Sequence, residues 1–221
     1  MATWIAHLRI ADLIMQQKLI PKEFEREFVY GSLAPDCGYG EKDSFDDFSP
    51  PPTITHWCPD GCKIFCEYSK FYDTYLKHTD KNADYYFYLG YYVHLITDIL
   101  WSTSIFIPTR IKYAKEYEAN PKFINEIKKD WYALDFDFIQ NTPDFQAYKL
   151  LQGVDTVKDY LPYYEHNQLA KQIKCIADYY ASGFKQPHNH TYLYLTETEM
   201  SEFIKIAVDL IIPKINGLLI K

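Results

Sequence analysis

Residues 84–101, DYYFYLGYYVHLITDILW, restrict the possible folds more than any other part of the sequence. Apolar and aromatic side chains occur there at almost every position, so a helix over this run would be apolar on nearly all sides. Such a helix belongs in a protein interior, with other elements packed around it. The sequence therefore predicts a central buried helix over residues 83–101.

Two polar side chains, His94 and Asp98, interrupt this apolar run. Residues four apart in a helix lie one turn apart on the same face, so both side chains would point to one place. One interpretation is a satisfied core pair, in which Asp98 fixes the imidazole. The other is a metal site, and the spacing alone does not decide between them.

The first third of the chain predicts two helices followed by a long loop. Apolar residues recur at near-helical spacing over residues 4–15, and Pro21 suits the start of a second helix over residues 22–32. Residues 34–61 contain APDCGYG, PPP and PDG, which break any regular pattern. A loop of this length inside a compact domain is usually functional or disordered.

The rest of the chain also has helical patterns. Residues 63–77 predict one helix, and Thr196 with Glu199 predicts a capping box ahead of another that ends near Leu219, with a kink at Pro213. The remaining sequence between these two helices is interrupted by prolines and is predicted to form short helices. These prolines are Pro108, Pro121, Pro143, Pro162 and Pro187. Strand alternation and internal repeats are not evident.

Composition agrees with one helical domain. The 221 residues are 48% hydrophobic and 24% charged, which is the ordinary range of globular proteins, and they include only eight glycines. A chain of this length is short for two domains. We therefore expect a single all-α domain over residues 1–221, built as a multi-helix bundle.

Charge and cysteine content bound the partners and the location. A formal net charge of −7 disfavours long-range attraction to nucleic acid or to anionic membranes. The N-terminal sequence lacks the pattern of a secretory signal, and no apolar stretch is long enough for a transmembrane segment. Five cysteines, an odd number, suggest free thiols and hence a cytoplasmic location.

Three further residues join the pair on the central helix as candidate ligands. They are His7 in the first predicted helix, Asp36 at the start of the long loop, and His56 near its end. Together with His94 and Asp98 they supply three imidazoles and two carboxylates. This donor set suits zinc, which binds nitrogen and oxygen ligands and at catalytic sites leaves a position for water.

The order of these residues resembles the zinc-dependent phospholipase C family, which is related to the S1/P1 nucleases. AHLRIADLIM is similar to the first helix of that family with its metal-binding His, and GSLAPD to the loop entry with a metal-binding Asp. FYLGYYVHLITD resembles the family's helix that carries a His and an Asp ligand. The resemblance implies an all-α fold like that of phospholipase C and P1 nuclease.

The same resemblance implies a metal site and an activity. Asp36, His56, His94 and Asp98 would hold one zinc ion, and His7, with Asp98 as a bridge, would hold a second. The protein would hydrolyse phosphoric esters with a metal-activated water, and Asp36 would act as base or orient that water. A small phosphoester or a phospholipid is the expected substrate, and nucleic acid is less favoured.

The sequence also departs from the family. In the secreted enzymes a further His follows the His-Asp segment, and Ser104 stands near that position here. This further His ligand could have no replacement here, which we favour, or it could be replaced by a histidine from the later sequence: His166, His188 or His190. The secreted enzymes also bind zinc through the amine of a processed N-terminal Trp; here Trp4 is internal, and removal of Met1 would leave an amine five residues ahead of His7.

These departures leave other functions open. One is a non-catalytic metal-binding or regulatory protein on the same fold, and another is a nuclease-type phosphodiesterase. A cysteine-based metal or redox module at Cys58, Cys62 and Cys66 is the least favoured, because their spacing is unusual for zinc or iron–sulfur sites. Once in a helix, Cys62 and Cys66 would share a face, as in a core stripe. Cys37, next to Asp36, fits either a turn or a position near the metal.

Overall fold

The computed structural model describes residues 1–40, 48–182 and 190–219, and it shows an all-α protein. This confirms the predicted fold class. The α-helices in chain order are α1 (Trp4–Gln16), α2 (Glu25–Leu33), α3 (Pro52–Thr55), α4 (Tyr68–Phe71), α5 (Ala83–Trp101), α6 (Ile107–Lys112), α7 (Ala114–Ala119), α8 (Ile124–Asn141), α9 (Gln146–Lys149), α10 (Gln168–Ala181) and α11 (Glu197–Leu219).

Shorter segments connect these helices. The 3-10 helices are Lys22–Phe24, Ala34–Asp36 and Lys63–Phe65, and the π-helical turns are Tyr72–Leu76 and Ser102–Phe106. Two strands of two residues each, β1 (Tyr39–Gly40) and β2 (Phe48–Ser49), pair antiparallel, with Tyr39 opposite Ser49. In the residues that the structure describes, this pair is the extent of the β-structure.

Helix α5 has the bounds predicted from the sequence, and it is buried along most of its length. Its first turn is capped by Asn82, whose side-chain oxygen accepts the backbone N–H groups of Asp84 and Tyr85. This cap satisfies donors that have no partner within the helix. The cap and the apolar surface on nearly all sides explain why the helix is both well bounded and central.

Helices α2 and α5 approach each other closely at two glycines. A Cβ atom on Gly31 would overlap the carbonyl oxygen of Phe87, and one on Gly90 would overlap the carbonyl oxygen of Phe28. Any larger residue at either position would push the two helices apart. This close approach brings the end of α2, and the loop that follows it, against the middle of α5.

The first and last helices also follow their sequence signals. Thr3 caps α1 by accepting the N–H of Ala6, and α1 ends one residue beyond the predicted span. The Thr196–Glu199 capping box is present, with hydrogen bonds in both directions. Helix α11 runs on through Pro213 to Leu219. Both helices bury one face in the common core.

Two predictions about the middle of the chain were wrong. Residues 63–77 form no continuous helix, because a 3-10 helix, a break, the short α4 and a π-helical turn occupy them. Cys62 therefore precedes the helical segment and is exposed, whereas Cys66 is buried, so the two do not share a helix face. Between Pro121 and Pro143 the chain forms the 18-residue α8 rather than short helices.

One continuous hydrophobic core joins residues from α1 to α11. The largest fully buried side chains include Trp101 at the end of α5 and Trp131 on α8, whose rings meet edge to face at 5.0 Å. Among the described helices, none has the length and apolar character required to cross a membrane.

Candidate metal centre

The structure brings all five predicted ligand residues together in its interior. Their donor atoms form two groups, each with all atoms within 4.8 Å of one another: His7, His94 and Asp98 in the first, and Asp36, His56 and His94 in the second. His94 belongs to both groups. Side chains from α1, the segment after α2, the residue after α3, and α5 therefore meet at one point.

His94 and Asp98 on α5 do not form a hydrogen bond with each other. Both side chains are fully buried, but Nε2 of His94 lies 3.7 Å from Oδ2 of Asp98, which is too long for a hydrogen bond. The two side chains instead point side by side at the same place, as their spacing of one helical turn requires. This geometry does not match the interpretation as a self-contained core pair.

A backbone carbonyl on α2 orients the His94 ring. Nδ1 of His94 lies 2.8 Å from the carbonyl oxygen of Ser32. A carbonyl oxygen can only accept, so Nδ1 carries the proton and donates it. The lone pair of His94 is then on Nε2, which faces the centre and lies 3.4 Å from Nε2 of His56. Metal-binding imidazoles are commonly held by such a bond on the other nitrogen.

The loop contributes His56 and Asp36. Nε2 of His56 lies 3.1 Å from Oδ1 of Asp36, and its Nδ1 lies 3.0 Å from the hydroxyl of Thr55. Tyr91 on α5 donates its hydroxyl to the carbonyl of Thr55 and so ties this part of the loop to the central helix. The other oxygen of Asp36, Oδ2, is buried and has no hydrogen-bond partner in the described part of the chain.

His7 on α1 is the most unusual member of the centre. It is buried, and neither ring nitrogen has a hydrogen-bond partner among the described residues. Its Nε2 lies 3.6 Å from Oδ1 of Asp98, and its ring stacks on that of His94. Buried polar groups are nearly always hydrogen-bonded, so such an exception requires an explanation. A metal ion would supply the missing partner.

Asp98 receives more contacts than the sequence suggested. The backbone N–H of Ala2 donates to Oδ1 at 3.1 Å, and the ammonium of Lys63 donates to Oδ2 at 2.9 Å. Oδ2 also lies 3.5 Å from Nε2 of His56. Sequence reasoning missed Lys63, because nothing in the local pattern KIFC distinguishes it from a surface lysine.

The surroundings favour neutral imidazoles. Burial, with a smaller contribution from His94, lowers the pKa of His7 to about 4, and burial with the nearby Lys63 lowers the pKa of His56 to about 4. Loss of hydration disfavours the charged form, and neighbouring positive charge has the same effect. At neutral pH both rings are therefore unprotonated at one nitrogen, which is the form that binds metal.

The two carboxylates are kept ionised. Burial by itself would raise the pKa of Asp36, but His94 and the hydrogen bond from His56 outweigh it, so that the pKa is lowered. Burial likewise opposes ionisation of Asp98, while Lys63 and the neighbouring imidazoles hold its pKa well below the usual range. Neutral imidazoles and ionised carboxylates together make a donor set that fits zinc.

The donor atoms allow one well-supplied ion and a second with fewer ligands. Because Nδ1 of His94 is engaged with Ser32, the ring can give one ion the lone pair of Nε2. Asp36, His56, His94 and Asp98 could hold one zinc. His7 would remain for another ion, with Asp98 as a shared carboxylate. A cavity of about 40 Å³ is lined by Asp36 and His56, which leaves space for water at the centre.

The other histidines proposed as replacement ligands lie elsewhere or outside the described residues. His166 is exposed and pairs with Asp159, and His190 pairs with the buried Asp130 on α8. His188 lies outside the described residues. Ser104 lines a separate surface cavity beside α6 and α11.

The cysteines are absent from both donor groups. Cys58 and Cys66 are buried, and Cys62 is exposed. Cys37 is buried and donates its thiol to the carbonyl of Leu33, and burial raises its pKa well above the usual value. A thiol held in this protonated state is a poor metal ligand.

Comparison with known proteins supports a metal-dependent family. A family model described as zinc dependent phospholipase C matches residues 6–212 of the chain. The match covers most of α1, α2 to α10 and most of α11, and it includes all five residues of the centre. No curated protein and no solved structure matched the chain.

Proposed function

Because the chain belongs to the zinc-dependent phospholipase C family, we propose that it is a zinc-dependent hydrolase of phosphoric esters. One observation carries this proposal. Three imidazoles and two carboxylates from four separate segments converge in the interior, and both nitrogens of His7 and one oxygen of Asp36 lack a partner among the described residues. In a purely structural cluster these buried polar atoms would have no hydrogen-bond partner, which would lower the stability of the fold.

His56 and His94 can each present Nε2 to a metal. Nε2 of His56 donates to Asp36, and its Nδ1 accepts from the Thr55 hydroxyl. With Nε2 bound to zinc, the proton would be on Nδ1, and the same hydroxyl could accept it, since a hydroxyl can both donate and accept. Ser32 already holds His94 in the tautomer that leaves Nε2 free.

Bound zinc lowers the pKa of a coordinated water and neutralises negative charge on the phosphoryl oxygens. Asp36 is the proposed catalytic residue of the chain. Its Oδ1 lies 3.1 Å from Nε2 of His56, so both atoms could bind the same ion, while Oδ2 has no partner in the described part of the chain and can accept a hydrogen bond from the attacking water. Because its pKa is lowered, Asp36 is ionised at neutral pH and available for this role.

The activity can be tested with a nitrophenyl phosphodiester. Zinc-loaded protein should hydrolyse it faster than chelator-treated protein, and Asp36→Asn should lower the rate about a hundredfold or more, as expected for loss of a general base or water-orienting group. Asp159→Asn is the matched control, because Asp159 also pairs with a histidine but is far from the centre.

Phosphatidylcholine and single-stranded DNA distinguish the candidate substrates. We propose the phospholipid first, since the net charge of −7 disfavours a nucleic acid. Protein that binds zinc stoichiometrically but turns over neither of these substrates nor the activated diester, over about pH 5–9 around the pKa of zinc-bound water, would instead be a non-catalytic metal-binding protein.

A further inference from the structure

A cavity of about 420 Å³ is lined in part by Lys63, whose ammonium pairs with Asp98 of the metal centre. One wall is formed by the loop after Cys58, and the other by the π-helical turn that follows α5. The residues that line it include Asp60, Gly61, Lys63, Ile64, Phe106 and Ile107. π-Helical turns occur frequently at functional sites.

Lys63 connects this cavity to the centre. Its ammonium lies 2.9 Å from Oδ2 of Asp98, which is fully buried, whereas the Lys63 side chain remains 15% exposed. The side chain therefore contacts the cavity along part of its length and a buried carboxylate at its tip.

The ammonium has unused hydrogen-bonding capacity. It carries three N–H donors. In the part of the chain that the structure describes, Asp98 is the acceptor that Lys63 reaches, and it takes one donor. Two donors remain for a ligand. An anion in the cavity could accept hydrogen bonds from these two donors, next to the Asp98 carboxylate that the two zinc ions would share.

The loop holds Lys63 in this position. Gly61 adopts a left-handed backbone with φ of 74°, and Oδ1 of Asp60 accepts the N–H of Cys62. Lys63 then starts a 3-10 helix, and the N–H of Glu67 donates to the carbonyl of Trp57, which closes the loop at its base. The Lys63 backbone is thus fixed on both sides.

The far wall of the cavity has the opposite character. Phe106 and Ile107 line the cavity there, and Ile64 adds an apolar side chain next to Lys63. A ligand with an anionic group at one end and an apolar group at the other would place the anion at Lys63 and its apolar part along these residues. A phosphoric ester of an apolar alcohol has this chemistry.

We propose that Lys63 is a substrate-binding residue that holds a non-bridging phosphoryl oxygen of the ester at the metal centre. The assignment rests on the proposed hydrolase function. It adds to the centre a fixed positive charge that no metal ligand supplies. Charge-assisted hydrogen bonds of this kind are about twice as strong as neutral ones.

Binding measurements test Lys63 separately from catalysis. Inorganic phosphate and dibutyl phosphate are titrated calorimetrically into zinc-loaded protein, and zinc content is measured in each sample. We expect Lys63→Met to weaken both ligands about tenfold to a hundredfold, the loss expected for one hydrogen bond to a charged group. Lys63→Arg, which keeps the charge, should retain most of the affinity.

Three further variants make the test specific. Lys158→Met removes a lysine that also pairs with a carboxylate, Asp84, but on another face, and it should leave both affinities unchanged. Ile107→Ser should weaken dibutyl phosphate and spare inorganic phosphate. Lys63→Gln, which can still donate to Asp98, replaces Lys63→Met if circular dichroism shows that Lys63→Met is unfolded.

Equal affinities for the wild type and the folded, zinc-loaded neutral variant would overturn the assignment. So would wild-type protein that binds neither ligand. If phosphate binds through Lys63 but no diester is hydrolysed, the hydrolase proposal is wrong and the binding role stands. If the diester is hydrolysed with an unchanged KM in the Lys63 variant, the hydrolase proposal stands and the role of Lys63 is wrong.

Discussion

The imidazole rings of His7 and His94 stack face to face, with centroids 3.7 Å apart and planes 5° from parallel. The two rings come from α1 and α5, so this contact joins the first helix to the central one at the candidate metal centre. Each ring contributes a nitrogen to the donor group that also contains Asp98.

We predict that the two rings differ in their effect on zinc content. His94 belongs to both donor groups and His7 to one of them. His94→Ala should remove the ion held with Asp36, His56 and Asp98, whereas His7→Ala should remove at most the second ion and leave the group that contains Asp36 and His56. Elemental analysis of protein purified without chelator measures both. His166→Ala, at an exposed histidine, is the control, and unchanged zinc in His94→Ala would exclude the site.

We predict that the glycine contact between α2 and α5 is essential for the geometry of the centre. Gly90→Ala should lower the free energy of unfolding by about 1–3 kcal/mol or more, because the new methyl group overlaps the backbone of α2. Separation of the helices would also lengthen the bond from His94 to the Ser32 carbonyl. Urea unfolding and zinc content are the two measurements.

Gly217→Ala is the matched control for that variant. Gly217 lies in α11, and a Cβ there would meet no atom within 4 Å. Alanine is the better helix former, so this change should stabilise the protein by about 0.5–1 kcal/mol. A Gly90→Ala protein as stable as the wild type would contradict the close approach of the helices.

Acid should destabilise the zinc-free centre in a defined pH range. The pKa values of His7 and His56 are lowered to about 4 in the folded state, against 6.5 for the unperturbed residue. The unfolded chain therefore takes up protons first as the pH falls. The contribution of these neutral rings to the free energy of unfolding is fully present above about pH 6.5. It is lost as the pH falls through about 4.

Urea titrations of chelator-treated protein between those pH values measure this loss. A His7→Gln variant should lose part of the dependence, because one of the two titrating rings is removed. If the slope between pH 6.5 and 4 were the same in the variant as in the wild type, His7 would not be a buried neutral ring.

Asp135 on α8 should give the opposite pH dependence. It is buried, accepts hydrogen bonds from Thr3 and Tyr180, and burial raises its pKa to about 7. The folded state therefore binds its proton more tightly than the unfolded state. The stability that this proton provides is complete below the unfolded pKa of 3.8 and is lost as the pH rises through about 7.

The Asp135→Asn variant isolates this effect. Asparagine has the shape of the protonated acid but does not titrate. The difference in unfolding free energy between variant and wild type should grow in favour of the variant as the pH rises through that window, on the order of 1.4 kcal/mol per unit of pKa shift. A pH-independent difference would show that Asp135 titrates normally.

Much of the fold could be predicted because strong local signals agreed with the tertiary structure. The apolar run predicted the bounds of α5, and Thr196 with Glu199 predicted the start of α11. The prediction of a helix over residues 63–77 was wrong, because the helical pattern competes with a loop that turns at Gly61 and closes on Trp57. Packing of that loop against α5 overrides its local preference.

The candidate site shows a similar division. The spacing of His94 and Asp98 predicted that they share a face, and the resemblance to the family supplied His7, Asp36 and His56, which the structure brings to the same point. Lys63 could not be recognised, because its place depends on how a loop crosses a helix and not on any spacing within the sequence. The role of the Ser32 carbonyl in orienting His94 could not be predicted either, because every residue has a backbone carbonyl.

The scatter of the candidate ligands along the chain has a consequence for protein abundance. Residues 7, 36, 56 and 94 come together only when α1 and the loop are packed on α5. An unfolded chain offers zinc no more than isolated local pairs, so zinc at this centre would bind the folded form almost exclusively and stabilise it by mass action. A fall in zinc supply would then raise the unfolded fraction, which proteases remove. The amount of this protein in a cell would follow the availability of the metal.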